Sequence, residues 1–575
     1  MIFHKTLSVL IVAAALLSGC GEPDNNASGG GTTIVRMVTV TTDKARYSPG
    51  ETVCFTLDKS IKAKVRYYHL GKLLGEESLS GSEWTWTPPT EDFKGYMVEL
   101  YNSSVNQTVG SVAVDVSSDW TRFPRYGFLS DFSLKTRSQI ESVVEFLNSC
   151  HINGLQYYDW MYDHHHPLAG TVANPESSWL DIIGRTNYRQ TISDYIDAAH
   201  TRGIASMWYD LCYGALEWAE RDGASWRWGV YKDSAHSQLD YHPLPAFRSN
   251  IYLMNPSNQD WLDYFAARAD EVYEVFDFDG FHIDQLGSRG TRYDYNGQRI
   301  DLPAGYGKFI DKMKSAQPDK QLAFNAVSRY GQNRIAAAQV DFLYNEVWTT
   351  SFDELKTIID ENATLSDAEK NTVLAAYMNY NKSPKSGEFN SAAVLLADAV
   401  IFALGGSHLE LGEHMLCSEY FPNSDLSMSS ELRKSIVAYY DFLTAYENLL
   451  RDGMTETTAS VTSRTDGISL CGWAPQRGKV LCLTKSNSDC EVVHLLNFVD
   501  AVHTDWRDDA ASQPTPNEIT DLSIRVGSAR SVKNVWAASP DIDGGVPHEV
   551  DYSVAGNFVS LKVPSLKYWT MIVIE

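Results

Sequence analysis

Asp279-Gly280-Phe281-His282-Ile283-Asp284-Gln285-Leu286 is a short apolar run that opens on a turn signal and ends near a carboxylate. Its length suits a buried strand and not a helix. The same kind of run recurs on both sides of it, as YGFLSDF (126–132), GLQYYDW (154–160), IASMWYD (204–210), LAFNAV (322–327), FLYNEVW (342–348), AAYMNY (375–380) and HLELGE (408–413). Between them lie stretches with apolar residues three and four apart, among them Gln139 through Leu147, Trp261 through Val275 and Ser391 through Leu404. Eight strand-and-helix units within residues 119–452 predict a central (β/α)8 TIM barrel. No Gly-rich phosphate fingerprint follows any strand, which argues against a doubly wound sheet.

Outside this region the text changes. Residues 34–118 carry short alternating runs such as VRMVTVTT, ETVCFTL and GYMVELYN, broken by turn residues such as Ser48-Pro49-Gly50, and predict an immunoglobulin-like β-sandwich. Residues 453–575 return to β text (KVLCLTKS, EVVHLLNF, YWTMIVIE) and predict a C-terminal antiparallel β-sandwich. The chain is thus expected to be multidomain, in keeping with 575 residues at about 150 per domain.

Residues 1–19 place Lys5 before an apolar run of signal-peptide length, too short to span a bilayer. The run ends in Leu17-Ser18-Gly19-Cys20, which resembles a bacterial lipobox and implies lipidation of Cys20. Residues 20–33 read as a flexible tether. The expected product is an exported protein, lipid-anchored at the cell surface or outer membrane, with a periplasmic face also compatible. Seven cysteines remain after the anchor, too few and too odd for a disulfide framework, although Cys471 and Cys482 could pair across a hairpin.

Composition narrows the function. A net charge of −25 disfavours nucleic acid and anionic membrane surfaces as partners. Fifteen Trp and 31 Tyr suit either large cores or a cleft that stacks on flat ligands. Asp284 at the end of the fourth strand and Glu346 at the end of the sixth would face one cleft at the barrel mouth. Two such carboxylates are the minimum for glycoside hydrolysis, one acting on the sugar carbon and one protonating the departing oxygen. Each could equally cap a helix or form a rim ion pair. The stretch Tyr157-Tyr158-Asp159-Trp160-Met161-Tyr162 and the following His164-His165-His166 combine rings with a carboxylate, and Tyr158, Asp159, Trp160 and His165 are candidates for sugar contacts. Tyr209, His282, Asn325, Trp348, Asn379 and Glu413 occupy or adjoin other strand ends. The long connection 211–255, with Trp218, Trp226, Trp228 and Tyr231, is either a cleft wall or a satellite apolar cluster. Adjacent histidines rarely converge on one ion, so no metal and no cofactor is expected. Serine, cysteine and zinc hydrolase motifs are absent.

The motifs Gln156-Tyr157-Tyr158-Asp159-Trp160-Met161-Tyr162, Gly280-Phe281-His282-Ile283-Asp284 and Tyr344-Asn345-Glu346-Val347-Trp348, with Ala45 through Glu51 near the N-terminus, resemble glycoside hydrolase family 66 over nearly the whole mature chain. That family comprises dextranases and cycloisomaltooligosaccharide glucanotransferases. The resemblance implies Asp284 as nucleophile, Glu346 as general acid/base and Asp159 as a carboxylate gripping the sugar at the cleaved bond. It also implies a retaining mechanism. Cyclising members carry a carbohydrate-binding module inserted in the barrel, and no β-rich insertion of that size interrupts the eight units. The expectation is therefore a monomeric dextranase that cleaves internal α-1,6 bonds. The rival readings are a cyclising glucanotransferase or other retaining α-glycosidase and, more distantly, a non-catalytic glycan-binding lipoprotein.

Overall fold

The first predicted strand appears as β1 (Tyr126–Leu129), followed by α1 (Arg137–Ser149), and the alternation continues without a break. It runs through β2 (Gly154–Tyr157), α2 (Arg189–Thr201), β3 (Ala205–Leu211), α3 (Gln259–Val275), β4 (Gly280–Asp284), α4 (Leu302–Ala316), β5 (Gln321–Phe324) and α5 (Gln332–Ala336). It closes with β6 (Leu343–Glu346), α6 (Phe352–Leu365), β7 (Thr372–Ala375), α7 (Ser391–Leu404), β8 (Ser407–His408) and α8 (Ser430–Ala445). This computed structural model describes residues 37–575, so the leader, Cys20, the tether and the first residues of the N-terminal β region lie outside the described residues.

Strands β1 to β5 form one parallel sheet in chain order, and β6 to β8 form a second. The two arcs meet at a parallel bridge between Asn325 and Tyr344, and on the other side Phe128 N–H donates to Leu411 O at 2.9 Å. Tyr126, Phe128, Met207, Ala323, Tyr344, Val373, Ala375 and Leu409 form one buried apolar cluster, contributed by or next to six of these strands. Trp120 packs into the same cluster, and its Nε1–H donates to Gln321 Oε1 at 3.0 Å. Gly154 leaves room for this ring, because a Cβ there would sit 2.3 Å from it.

Seven of the eight strands are shorter than predicted, and β7 (Thr372–Ala375) is also displaced, meeting the predicted run 375–380 only at Ala375. β2 stops at Tyr157 and β7 at Ala375, and beyond them Asp159 (φ 50°) and Asn379 (φ 52°) adopt the left-handed conformation that ends extended pairing. β8 is two residues long, and the rest of 408–413 is irregular. The sequence kept its apolar character past these ends because the loops that follow are themselves buried.

Among the described residues the N-terminal β region is one five-stranded antiparallel sheet, not the two separate sheets expected of an immunoglobulin-like sandwich. Val53–His69 pairs with Val40–Thr42 along its first part and with Lys94–Asn102 along its second, while Lys72–Trp86 follows it throughout. A register shift between Thr56 and Ile61 separates the two parts, so one long strand serves both ends of a curled sheet. At the C-terminal end, Val480, Val493, Leu495 and Ile572 of a seven-stranded sheet share a core with Ile524, Val526, Val559 and Leu561 of a four-stranded one. Leu470–Cys471 pairs with Lys479–Ser486 in parallel, not as a hairpin, and Cys471 and Cys482 are both free thiols.

Arg125 joins the N-terminal sheet to the helices. It is fully buried, with its guanidinium bonded to Asp115, to Glu447 Oε2 at 3.0 Å and to His151 O at 2.6 Å. Arg125→Met would strand two buried carboxylates. The expected cost is about 3–5 kcal/mol, read as a lowered denaturant midpoint of the purified protein.

Candidate active site

The C-terminal ends of the parallel strands open into a cavity of about 520 Å³. Asp284, the last residue of β4, is held there by Tyr209 O–H at 2.7 Å, by Asn325 Nδ2–H at 2.8 Å and by the Gln285 N–H at 2.7 Å. Burial pushes its carboxyl above the usual range, and the three donors oppose that shift by favouring the charged form. Glu346, the last residue of β6, accepts from Tyr377 O–H at 2.7 Å and from the same Asn325 Nδ2 at 3.3 Å. Burial, then the charge of Asp284, push Glu346 up to about 7. One amide nitrogen is thus shared between two carboxylates whose environments differ. Asp284 has the stronger set of donors, and Glu346 carries the raised pKa expected of a group that holds a proton near neutrality.

Asp159 also lines the cavity, and no hydrogen bond among the described residues engages its carboxylate. Burial raises it to about 7, and His164 acts against that rise. His164 is fixed by Asp210, with Nδ1 2.6 Å from Oδ1, and presents its ring to the same cavity. His282 lies on the floor with Nδ1 3.3 Å from Tyr126 Oη, and burial lowers it to about 3, so it acts as a neutral hydrogen-bonding group. Tyr158, Tyr209, Asn325 and Trp348 complete the set of predicted residues in the lining.

Four predicted contacts lie elsewhere. Trp160 is fully buried against Trp179, Trp208, Phe276 and Phe278. His165 points behind the wall, where its Nδ1 accepts from Leu216 N–H and its Nε2 meets Asp222. Glu413 is half-buried under the loop after β1 and accepts from the N–H groups of Ser130 and Asp131 at 2.6 and 2.9 Å. Asn379 bonds Asp508 O and the Asn390 N–H, joining β7 to the C-terminal region. Position along a run does not fix direction here, because consecutive residues in a loop do not point the same way. His164 and Tyr377, one and two positions from the expected His165 and Asn379, line the cavity instead, and nothing in the local sequence distinguishes them. The 211–255 connection does form a wall, through His242, Leu244, Phe247 and Ile251, while Trp218, Trp226, Trp228 and Tyr231 are absent from the cavity lining.

Two His and carboxylate groups bring ligand atoms within 4.8 Å of one another. In Asp163–His165–Asp222 the His165 lone pair is already used by Leu216 N–H, which leaves Nε2 protonated. In Asp398–His408–Glu410 the His408 Nδ1 lies 2.7 Å from Asp398 Oδ1, a hydrogen-bond length. Two ligands on one tetrahedral ion would stand about 3.3 Å apart. Both groups read as hydrogen-bonded networks.

The sequence model of glycosyl hydrolase family 66 matches residues 42–573. A cycloisomaltooligosaccharide glucanotransferase of Niallia circulans is 28% identical over an alignment of 735 residues, covering 98% of this chain and 74% of the relative. A dextranase of Streptococcus salivarius is 23% identical, covering 78% of this chain and 62% of the relative. The crystal structure of a Paenibacillus sp. cycloisomaltooligosaccharide glucanotransferase complexed with cycloisomaltoheptaose superposes with a TM-score of 0.86 at 27% identity, covering 93% of this chain and 100% of that one. With the profile covering nearly all the described residues and two strand-end carboxylates sharing one cavity, the chain belongs to glycoside hydrolase family 66 and is a glycosidase-type enzyme acting within that family's chemistry.

Proposed function

We propose that the protein is a retaining, endo-acting hydrolase of the internal α-1,6 bonds of dextran, built on a closed (β/α)8 barrel at 119–452 with β domains at 34–118 and 453–575. The observation that carries the mechanism is the shared Asn325 amide. Two oxygens bonded to one nitrogen at 2.8 and 3.3 Å lie within the sum of those lengths, under the about 6.5–9.5 Å that an inverting pair needs to admit water. Glu346 protonates the leaving glucosyl oxygen while Asp284 attacks the anomeric carbon. Glu346 then takes a proton from water, whose oxygen displaces Asp284. Asp159 and His164 lie where sugar hydroxyls can be held, and neither needs a cofactor to act.

The hydrolysis reading is supported by an internal length difference from one glucanotransferase. The glucanotransferase alignment spans 735 positions against 575 residues here, so that relative carries long insertions that this chain lacks. Cyclisation is the second reading, supported by the 0.86 TM-score match to a glucanotransferase. Incubation with dextran separates them: a ladder of isomaltooligosaccharides with new reducing ends supports hydrolysis, and products lacking reducing ends support cyclisation. No reducing sugar from dextran, with release from another α- or β-glucan, would overturn the substrate assignment. Export and lipid anchoring through Cys20, with the enzyme acting as a monomer, complete the proposal; Leu17-Ser18-Gly19-Cys20 supports the anchor.

The pH profile follows from the pair. Asp284 must be charged and Glu346 protonated, so kcat/KM rises as Asp284 ionises and falls as pH passes the value near 7 at which Glu346 loses its proton. Tyr377→Phe removes a donor that favours charged Glu346. The alkaline limb of the variant is expected to move to higher pH, with kcat reduced about tenfold. A limb that stays in place would remove Glu346 as its source.

A further inference from the structure

The segment from Asp505 to Asp508 belongs to the loop between the C-terminal strands Glu491–Phe498 and Ser523–Gly527, far in sequence from the catalytic strands. It runs alongside the residues that follow Glu346. Ser351 and Asp505 form an antiparallel bridge, Trp506 N–H donates to Thr350 O at 2.9 Å, and Trp506 Nε1–H donates to Thr349 O at 2.9 Å. Arg507 Nη2–H donates to both Val347 O and Trp348 O at 3.1 Å. Its guanidinium stands 5.7 Å from the Trp348 ring centroid and 5.1 Å from that of Tyr380. Asn379 ties the same segment to the end of β7, donating from its backbone N–H to Arg507 O at 2.8 Å.

Trp348 lines the cavity and Arg507 does not. Carbonyls 347 and 348 directly follow Glu346 and have left the strand ladder, so a fixed donor has to hold them if the ring is to keep its place. Arg507 is 6% exposed, and its planar fork makes both contacts at once, which a single ammonium on a flexible stem cannot reproduce. Glu346 protonates the leaving oxygen, so the wall immediately beyond it borders the leaving-group sugars. We propose that Arg507 is a positioning residue through which the C-terminal β region shapes the leaving-group side of the cleft, by holding Trp348 and the backbone after Glu346. This rests on the hydrolase reading above and names a determinant of polymer use that the catalytic pair does not contain.

The test compares Arg507→Met and Arg507→Lys with the unmodified full chain on two substrates. Dextran places sugars on both sides of the cleaved bond; a nitrophenyl α-isomaltoside has an activated aryl leaving group that needs little from that wall. For Arg507→Met the expected result is a loss of about tenfold or more in kcat/KM on dextran. The aryl substrate should lose far less, and Arg507→Lys should regain part of the dextran activity. An equal loss on both substrates, or none on dextran, overturns the proposal, and thermal midpoints identify a variant whose loss is one of folding. If the unmodified enzyme leaves dextran intact, the substrate assignment fails on its own account, and the same comparison is run on the glucan it does cleave.

Discussion

Asp284→Asn is expected to lower turnover on α-1,6-glucan by about 10⁴-fold or more, the scale on which removal of a nucleophile that acts as part of a unit is felt. The substitution keeps the side-chain volume; an amide oxygen in place of Oδ1 still accepts from the Gln285 N–H and Asn325 Nδ2–H, and the amide NH2 in place of Oδ2 can donate to Tyr209 Oη, so folding should survive. What is lost is the charge that, on the proposed mechanism, forms the glycosyl-enzyme bond. Azide, small and already anionic, should restore measurable turnover of an aryl glycoside in this variant. Substantial retained activity on the polymer would falsify the assignment of Asp284.

Glu346→Gln is expected to cost about 10²–10⁴-fold, and the size of the loss should depend on the leaving group. On dextran the departing alkoxide needs a proton and the full loss should appear. On a nitrophenyl glycoside the first step needs little proton donation, so glycosyl-enzyme should form and then wait for a base that is no longer there. A burst of nitrophenol followed by slow turnover is the expected trace, and azide should relieve the slow phase. The alkaline limb near pH 7 should disappear with the carboxyl, because burial and the Asp284 charge place it there. A loss of the same size on both substrates with no burst would mean that Glu346 is not the acid.

The strand-end rule found Asp284 and Glu346 because both end parallel strands, and the direction of a strand's last side chain follows from its two-residue period. Asn325 follows β5 and was reachable by the same rule, although its place between the two carboxylates was not. The rule failed where the backbone leaves the strand. Beyond the left-handed Asp159, Trp160 enters the core and His164 rather than His165 reaches the cavity, and past the end of β7 Tyr377 rather than Asn379 lines it. The N-terminal region failed differently. Alternating runs report strands with one buried face, but the same alternation serves two facing sheets or one curled sheet, and the length of Val53–His69 decided for the latter.

Arg507 marks the far limit of sequence reading. Nothing in Asp505 through Asp508 signals a part in the cleft, because its partners are backbone carbonyls about 160 positions away. The eight-unit alternation, the strand-end carboxylates and the family motifs were determined by the sequence itself, since each depends on periodicity or on residues adjacent along the chain. Which rings face the cavity, how one amide spans both carboxylates, and how a C-terminal loop supports the backbone beyond Glu346 were decided only by the tertiary structure. Those relations depend on loop direction and on contacts between distant segments, and no local pattern encodes either.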